Sequence, residues 1–194
     1  IVEVLMKNSK VVAGLLCLVL VLVTFGFSAQ DQKKLNFYAG AGAQLPLGDW
    51  SNVADMGFHL QAGVLYPVFK MVDIQAGLNF FYNTGGDEYS DLKVSNVVVS
   101  VDGRYNLPLE KTRLFLVGGL GTYFRHAKVT TELIPAIVAA GAISQVTNSA
   151  TANETNIGLR LGAGLGLGKN FEVSAMFHIV SDANMMSLGV CYKF

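Results

Sequence analysis

Cysteine pairs, an excess of either charge and helical membrane spans are missing from most of this sequence, and each absence removes a class of protein. Only Cys17 and Cys191 occur. Cys17 falls in an apolar N-terminal segment, so a disulfide framework is excluded. Fourteen basic residues balance fourteen acidic ones, which gives nucleic acid no electrostatic footing as a partner. His59, His126 and His178 share no ligand spacing, so neither a metal site nor any other cofactor is implied. Beyond residue 29 the nearest approach to an apolar span is LIPAIVAAGAI at 133–143. It contains Pro135 and is too short to cross a bilayer as a helix. Yet 52% of the residues are hydrophobic, and that content must be used in another way.

The N-terminal segment has its own reading. Lys7 and Lys10 precede an unbroken apolar run from Val11, which gives way to Gly26, Ser28 and Ala29 before DQKK. A basic start, an apolar centre and small residues before a polar continuation form a cleavable secretory signal. The expected leader covers residues 1–29, with Met6 as initiator and cleavage after Ser28 or Ala29. A spanning helix over Val11–Ala29 is the competing reading, since that run is just long enough. The expected mature domain is 30–194.

In that domain the apolar residues recur with period 2, not 3.6. The segment IGLRLGAGLGL at 157–167 sets Ile157, Leu159, Leu161, Ala163, Leu165 and Leu167 against four glycines and Arg160. No amphipathic helix keeps that order. The same alternation marks 35–45, 58–66, 72–82, 95–105, 171–179 and the final SLGVCYKF at 187–194. A less regular copy lies at 113–125, where Leu114, Leu116, Leu120 and Phe124 form the apolar face. Eight segments of about 9–11 residues have the length and pattern of strands that cross an outer membrane. In hydrocarbon only closure pairs every backbone N–H and C=O. The prediction is an all-β fold: an eight-stranded antiparallel up-and-down transmembrane β-barrel.

The connections agree. Periplasmic turns at 67–71, 106–112 and 168–170 are short, whereas outer loops are expected at 46–57, 83–94 and, longest, 128–156; such asymmetry is usual in these barrels. On the predicted lipid face, Phe37, Tyr66, Tyr105, Phe171, Tyr192 and Phe194 fall at one rim, and Phe58, Phe80, Tyr82, Phe124 and Phe177 at the other. Amphipathic rings favour both interfaces. A soluble lipocalin-like barrel would reverse the faces, and the inward charges and glycines argue against it.

SLGVCYKF, with polar Ser187, Gly189, aromatic Tyr192 and terminal Phe194, resembles the C-terminal assembly signal of outer-membrane barrels. The resemblance implies that this strand is read by the barrel-assembly machinery. The mature chain, including LPLGDWSNVADMGFHLQAGVLY, likewise resembles the small eight-stranded OmpA- and OmpX-like outer-membrane superfamily. That likeness implies location in the outer membrane of a Gram-negative cell and contact with its lipid, but no particular activity, because the superfamily shares architecture more than function.

By parity Asp73, Asp102, Arg104, Arg160, Glu172, His178 and Lys193 point into the barrel as a polar network, where a charge needs a partner or water. Counting about the 181–184 turn places Glu172 opposite Lys193, and counting about Gly168 places Arg160 near His178. At eight strands side chains fill the interior, so a structural plug is the expected role. A narrow pore is the alternative, with inward glycines thinning the packing enough for a file of water. A second alternative is a lipid A-modifying enzyme. FHIVSDAN at 177–184 has a faint likeness to the histidine and serine motif of lipid A deacylases, but His178 and Ser181 have opposite parity, which makes a base–nucleophile contact awkward. Binding of an extracellular ligand would fall to the 128–156 loop, as loops on rigid scaffolds usually carry it. The expectation is a structural or surface-binding barrel without catalysis.

Overall fold

The computed structural model describes residues 35–194 apart from 88–89, 110–111, 133–146 and 182. The expected leader and the apolar stretch at 133–143 lie outside the described residues. Eight strands follow one another: β1 (Asn36–Pro46), β2 (Gly57–Phe69), β3 (Val72–Asp87), β4 (Ser90–Pro108), β5 (Thr112–Glu132), β6 (Thr147–Leu167), β7 (Phe171–Ile179) and β8 (Met185–Lys193). Each pairs with its neighbour in sequence and β8 closes onto β1, giving an eight-stranded barrel. All pairings are antiparallel, including the closing one from Tyr38↔Lys193 to Pro46↔Met185. Closure removes the sheet edges that hydrocarbon does not tolerate.

The two faces divide as the alternation requires. On β6, Leu159, Leu161 and Leu165 are 41–45% exposed, whereas Arg160 between them is 2% exposed. Phe37, Leu78, Leu116, Val173, Leu188 and Val190 are likewise exposed. These side chains form the lipid-facing belt, and burying charge or polar backbone there is costly.

Inside, glycine makes room for rings. An ideal Cβ on Gly63 or Gly77 would lie 2.6 or 2.7 Å from the Tyr38 hydroxyl, and one on Gly158 2.8 Å from Tyr123 Cε2. Gly164 sits in the same way beneath Phe115. At these four glycines the place of the missing side chain is taken by an aromatic ring from a nearby strand. Three apolar clusters result: Phe81, Val98, Tyr123, Val180 and Met185; Tyr38, Leu65 and Cys191; and Phe115, Val117 and Met176. The lumen is thus a mixed core.

At one end the turns are tight: Lys70–Met71 and Gly168–Asn170, with Gly168 at φ 69°, in the left-handed region that suits glycine. At the other, the sequence-based boundaries need correction. The expected loop at 83–94 is mostly hairpin, since β3 runs to Asp87 and β4 starts at Ser90. The expected loop at 128–156 is strand on both sides, with β5 pairing β6 from Thr112↔Leu167 to Glu132↔Thr147. Beyond the apolar belt the residues are mainly Thr, Ser, Asn and Ala with scattered charges such as Lys128 and Glu154, without the hydrophobic contrast that marks a strand in sequence. Backbone pairing between two adjacent strands needs no lipid and continues into water. The 47–56 connection carries a short 3-10 turn, Gly48–Asn52.

Reversing a side chain's solvent tests this orientation. Leu161→Arg places a cation in mid-belt and is expected to destabilise the barrel by about 2–4 kcal/mol, while Leu161→Ile stays near wild type. Denaturant unfolding of the protein in phospholipid vesicles measures both; equal stability would mean that Leu161 does not face hydrocarbon.

Candidate functional site

The interior polar groups are stacked in layers along the barrel axis. Nearest the short turns, Glu172 on β7 is the hub. Its two oxygens receive Arg104 Nη1 at 2.7 Å and Nη2 at 2.6 Å, and one of them also receives Arg113 Nη2 at 2.5 Å. Lys193 Nζ is 2.8 Å from the same oxygen. The planar fork of Arg104 suits a carboxylate, and its guanidinium lies 3.6 Å from the centre of the Phe115 ring. Arg104 Nε donates to Asn106, whose amide donates to Asp73 at 2.8 Å.

In the middle layer Arg160 on β6 pairs with Asp102 on β4 at 2.8 Å, both almost wholly buried. Arg160 also donates to the Ser100 hydroxyl. Gln75 donates to the Tyr38 hydroxyl at 2.9 Å. A cavity of about 20 Å³ beside Arg160 and Glu172 has room for about one water.

The third layer surrounds His178. Its Nδ1 shares a hydrogen bond of 2.9 Å with the Tyr123 hydroxyl, and its Nε2 one of 3.1 Å with the Ser187 hydroxyl. Phe81 packs edge-on against the imidazole at 5.2 Å. Above it Asn96 accepts from Arg125, and the Trp50 ring lies 4.5 Å from the Arg125 guanidinium carbon.

These positions refine the counting from sequence. Arg160 and His178 are Cα partners, yet Arg160 bonds to Asp102 and Ser100 rather than to His178. The Cα partner of Glu172 on β8 is Cys191, not Lys193. The β7–β8 register is shifted by two residues from a turn centred on 181–184, and Lys193 reaches Glu172 diagonally. Ser181 is exposed; a serine that meets His178 is Ser187. Of the C-terminal motif, Ser187 and Gly189 face inward, while Tyr192 and Phe194 are exposed with ring centroids 5.1 Å apart. Sequence reasoning missed Arg113, Ser100, Tyr123 and Arg125. Once Leu114, Leu116 and Phe124 are placed outward on β5, parity alone turns Arg113, Tyr123 and Arg125 inward.

A closed eight-stranded barrel that is apolar outside and charged within points to one kind of protein, and the sequence matches the outer membrane protein beta-barrel domain over residues 17–194. The chain belongs to that family. It is an integral outer-membrane protein, and its apolar belt contacts membrane lipid. Among solved structures, the attachment invasion locus protein Ail of Yersinia pestis is 17% identical with a TM-score of 0.52, the match covering 82% of this chain and 97% of Ail. Neisserial surface protein A is 15% identical with a TM-score of 0.47, at the same coverages. The N-terminal barrel of Pseudomonas aeruginosa OprF is 17% identical with a TM-score of 0.42, again covering 82% of this chain and 97% of its own. The likeness to Ail supports the fold alone. A comparison with curated proteins finds no match.

The middle layer makes a sharp energetic test, because removing one member of a buried pair strands the other. Asp102→Leu is expected to cost about 3–5 kcal/mol, as is Arg160→Met, and the two combined to cost less than either single change. A double-mutant cycle of unfolding free energies in vesicles checks this; additive losses would mean that the pair is not coupled.

Proposed function

We propose that this outer-membrane barrel is a sealed, non-catalytic scaffold whose working surface is the sheet that β3 to β6 carry out of the membrane. The observation that carries the reading is the difference in strand length. β5 and β6 are 21 residues each and β4 is 19, whereas β7 and β8 are 9. A spanning strand needs about 9–11, so β5 and β6 project about ten residues beyond the belt, on the order of 30 Å of extended chain.

The projecting sheet has two unlike faces. Lys93, Ser95, His126, Lys128, Asn153 and Thr155 share the parity of the lipid belt, which here turns polar. The opposite parity carries Leu92, Val94, Ala127, Val129, Ala150 and Ala152. Val129 is exposed, as are Val53 and Met56 in the neighbouring β1–β2 connection. A rigid, partly apolar, water-exposed sheet suits recognition of an extracellular ligand.

The filled interior supports a barrel that conducts little or nothing. Arg160, Tyr123, Phe81, Met185 and His178 are each less than 2% exposed by side chain, and together they occupy the cross-section. The Ser187–His178–Tyr123 arrangement resembles a base and its nucleophile in distance. It lies in the sealed interior, out of reach of lipid A on the outside of the barrel, and its simpler role is to satisfy a buried imidazole. The exposed rings of Tyr192 and Phe194 on the outer face of the last strand suit reading by the assembly machinery.

Two measurements test the proposal. Planar-bilayer recording of the refolded protein is expected to show no unitary conductance, and regular open steps would replace the scaffold with a pore. Replacing residues 126–153 by a tight turn is expected to leave a heat-modifiable folded barrel while abolishing surface binding; loss of folding would instead make the projecting sheet a structural element.

A further inference from the structure

Among the described residues the periplasmic end holds more positive charge than its carboxylates neutralise. Glu172 is one carboxylate in contact with three cations, Arg104, Arg113 and Lys193. The neighbouring Asp73 is occupied by the amide of Asn106. Two further cations, Lys70 and Lys169, stand on the tight turns and have no ion-pair partner among the described residues. Among the described residues five cations thus face two carboxylates.

Four of these cations border one space. A vestibule of about 570 Å³ opens at this end, and Lys70, Arg113, Lys169 and Lys193 all line it. The volume falls in the range of small-molecule sites. Arg113 spans floor and opening: its side chain is 36% exposed, one Nη bonds Glu172, and its Nε is buried without a partner. It lies across Gly166, where an ideal Cβ would come within 3.4 Å of Nε. A concave site with surplus guanidinium and ammonium donors selects an anion with several acceptor oxygens.

We propose that the vestibule binds a phosphate group, held by Arg113 and Lys193 at its base and by Lys70 and Lys169 at its rim. The phosphate has two available sources, a phospholipid headgroup of the inner leaflet or a soluble phosphate ester of the periplasm. Both present the same chemistry to the same donors.

The test uses the refolded barrel in phosphatidylcholine nanodiscs, titrated with inorganic pyrophosphate at constant ionic strength and followed by the ¹⁵N–¹H signal of Arg113 Nε. Saturable shifts are expected, and Lys70→Gln with Lys169→Gln should weaken binding about tenfold while heat-modifiable mobility is kept. Lys93→Gln, on the outer sheet, should leave affinity unchanged. Equal shifts on titration with chloride, no saturation, or unaltered affinity in the double variant would each overturn the site. A second titration in nanodiscs containing phosphatidylglycerol identifies the source: competition with pyrophosphate assigns the site to lipid headgroups, and its absence assigns it to a soluble phosphate.

Discussion

Hydrocarbon does not hydrogen-bond, and from that single constraint the rest of this molecule follows. Every peptide group in the belt must find its partner in a neighbouring strand, so the sheet must close and β8 must meet β1. Closure in turn fixes which residues are enclosed, since side chains alternate across the wall. With eight strands the enclosed volume is narrow. The interior therefore cannot be left to bulk water, and each inward side chain must be accommodated by its neighbours.

Two solutions to that packing problem coexist. Large rings occupy the space over glycines on nearby strands, as Tyr38 does over Gly63 and Gly77. Charges pair across the lumen between strands that are not neighbours: β4 with β7 through Arg104 and Glu172, and β4 with β6 through Asp102 and Arg160. Such pairs add little net stability compared with an apolar core of equal volume, because desolvation offsets much of the attraction. They do penalise misregister. A slip of one residue in β4, β6 or β7 would move a charge into the lipid and an apolar side chain into the lumen. Register specificity is thus the benefit that the buried charges bring to the wall.

Legibility in the sequence followed that alternation. β6 could be read because Leu159, Leu161 and Leu165 contrast with Gly158, Arg160 and Gly162. β5 was harder because its inward residues include Phe115, Val117 and Tyr123, as apolar as the outward leucines. What separates the faces there is three-dimensional, namely the glycines that receive Phe115 and Tyr123 from β6. Strand ends were misplaced where the outer face changes from Val97 and Phe124 to Lys93, Ser95, His126 and Lys128, since periodicity of hydrophobicity stops at the membrane surface and backbone pairing does not. Neighbour counting put Arg160 beside His178, but it could not find Arg104 or Arg113 at Glu172. Those contacts cross the lumen, and no pairing rule between adjacent strands encodes them.

The layered interior also separates the two ends of the molecule chemically. Between the Glu172 hub and the His178 layer lie the Arg160–Asp102 pair and the rings around it, with room for about one water. On the proposed reading of a sealed barrel, a solute that reaches the periplasmic vestibule has no continuous path to the projecting sheet, and a ligand on that sheet has none to the vestibule. Coupling between the ends would have to pass through the wall itself, by a change in strand register or tilt. The same cross-lumen pairs resist such a change, because each holds two non-adjacent strands at once. On that reading the barrel is a partition that presents different surfaces to two compartments. The outer surface is shaped by how far β3 to β6 extend, and the inner one by which cations surround a single carboxylate.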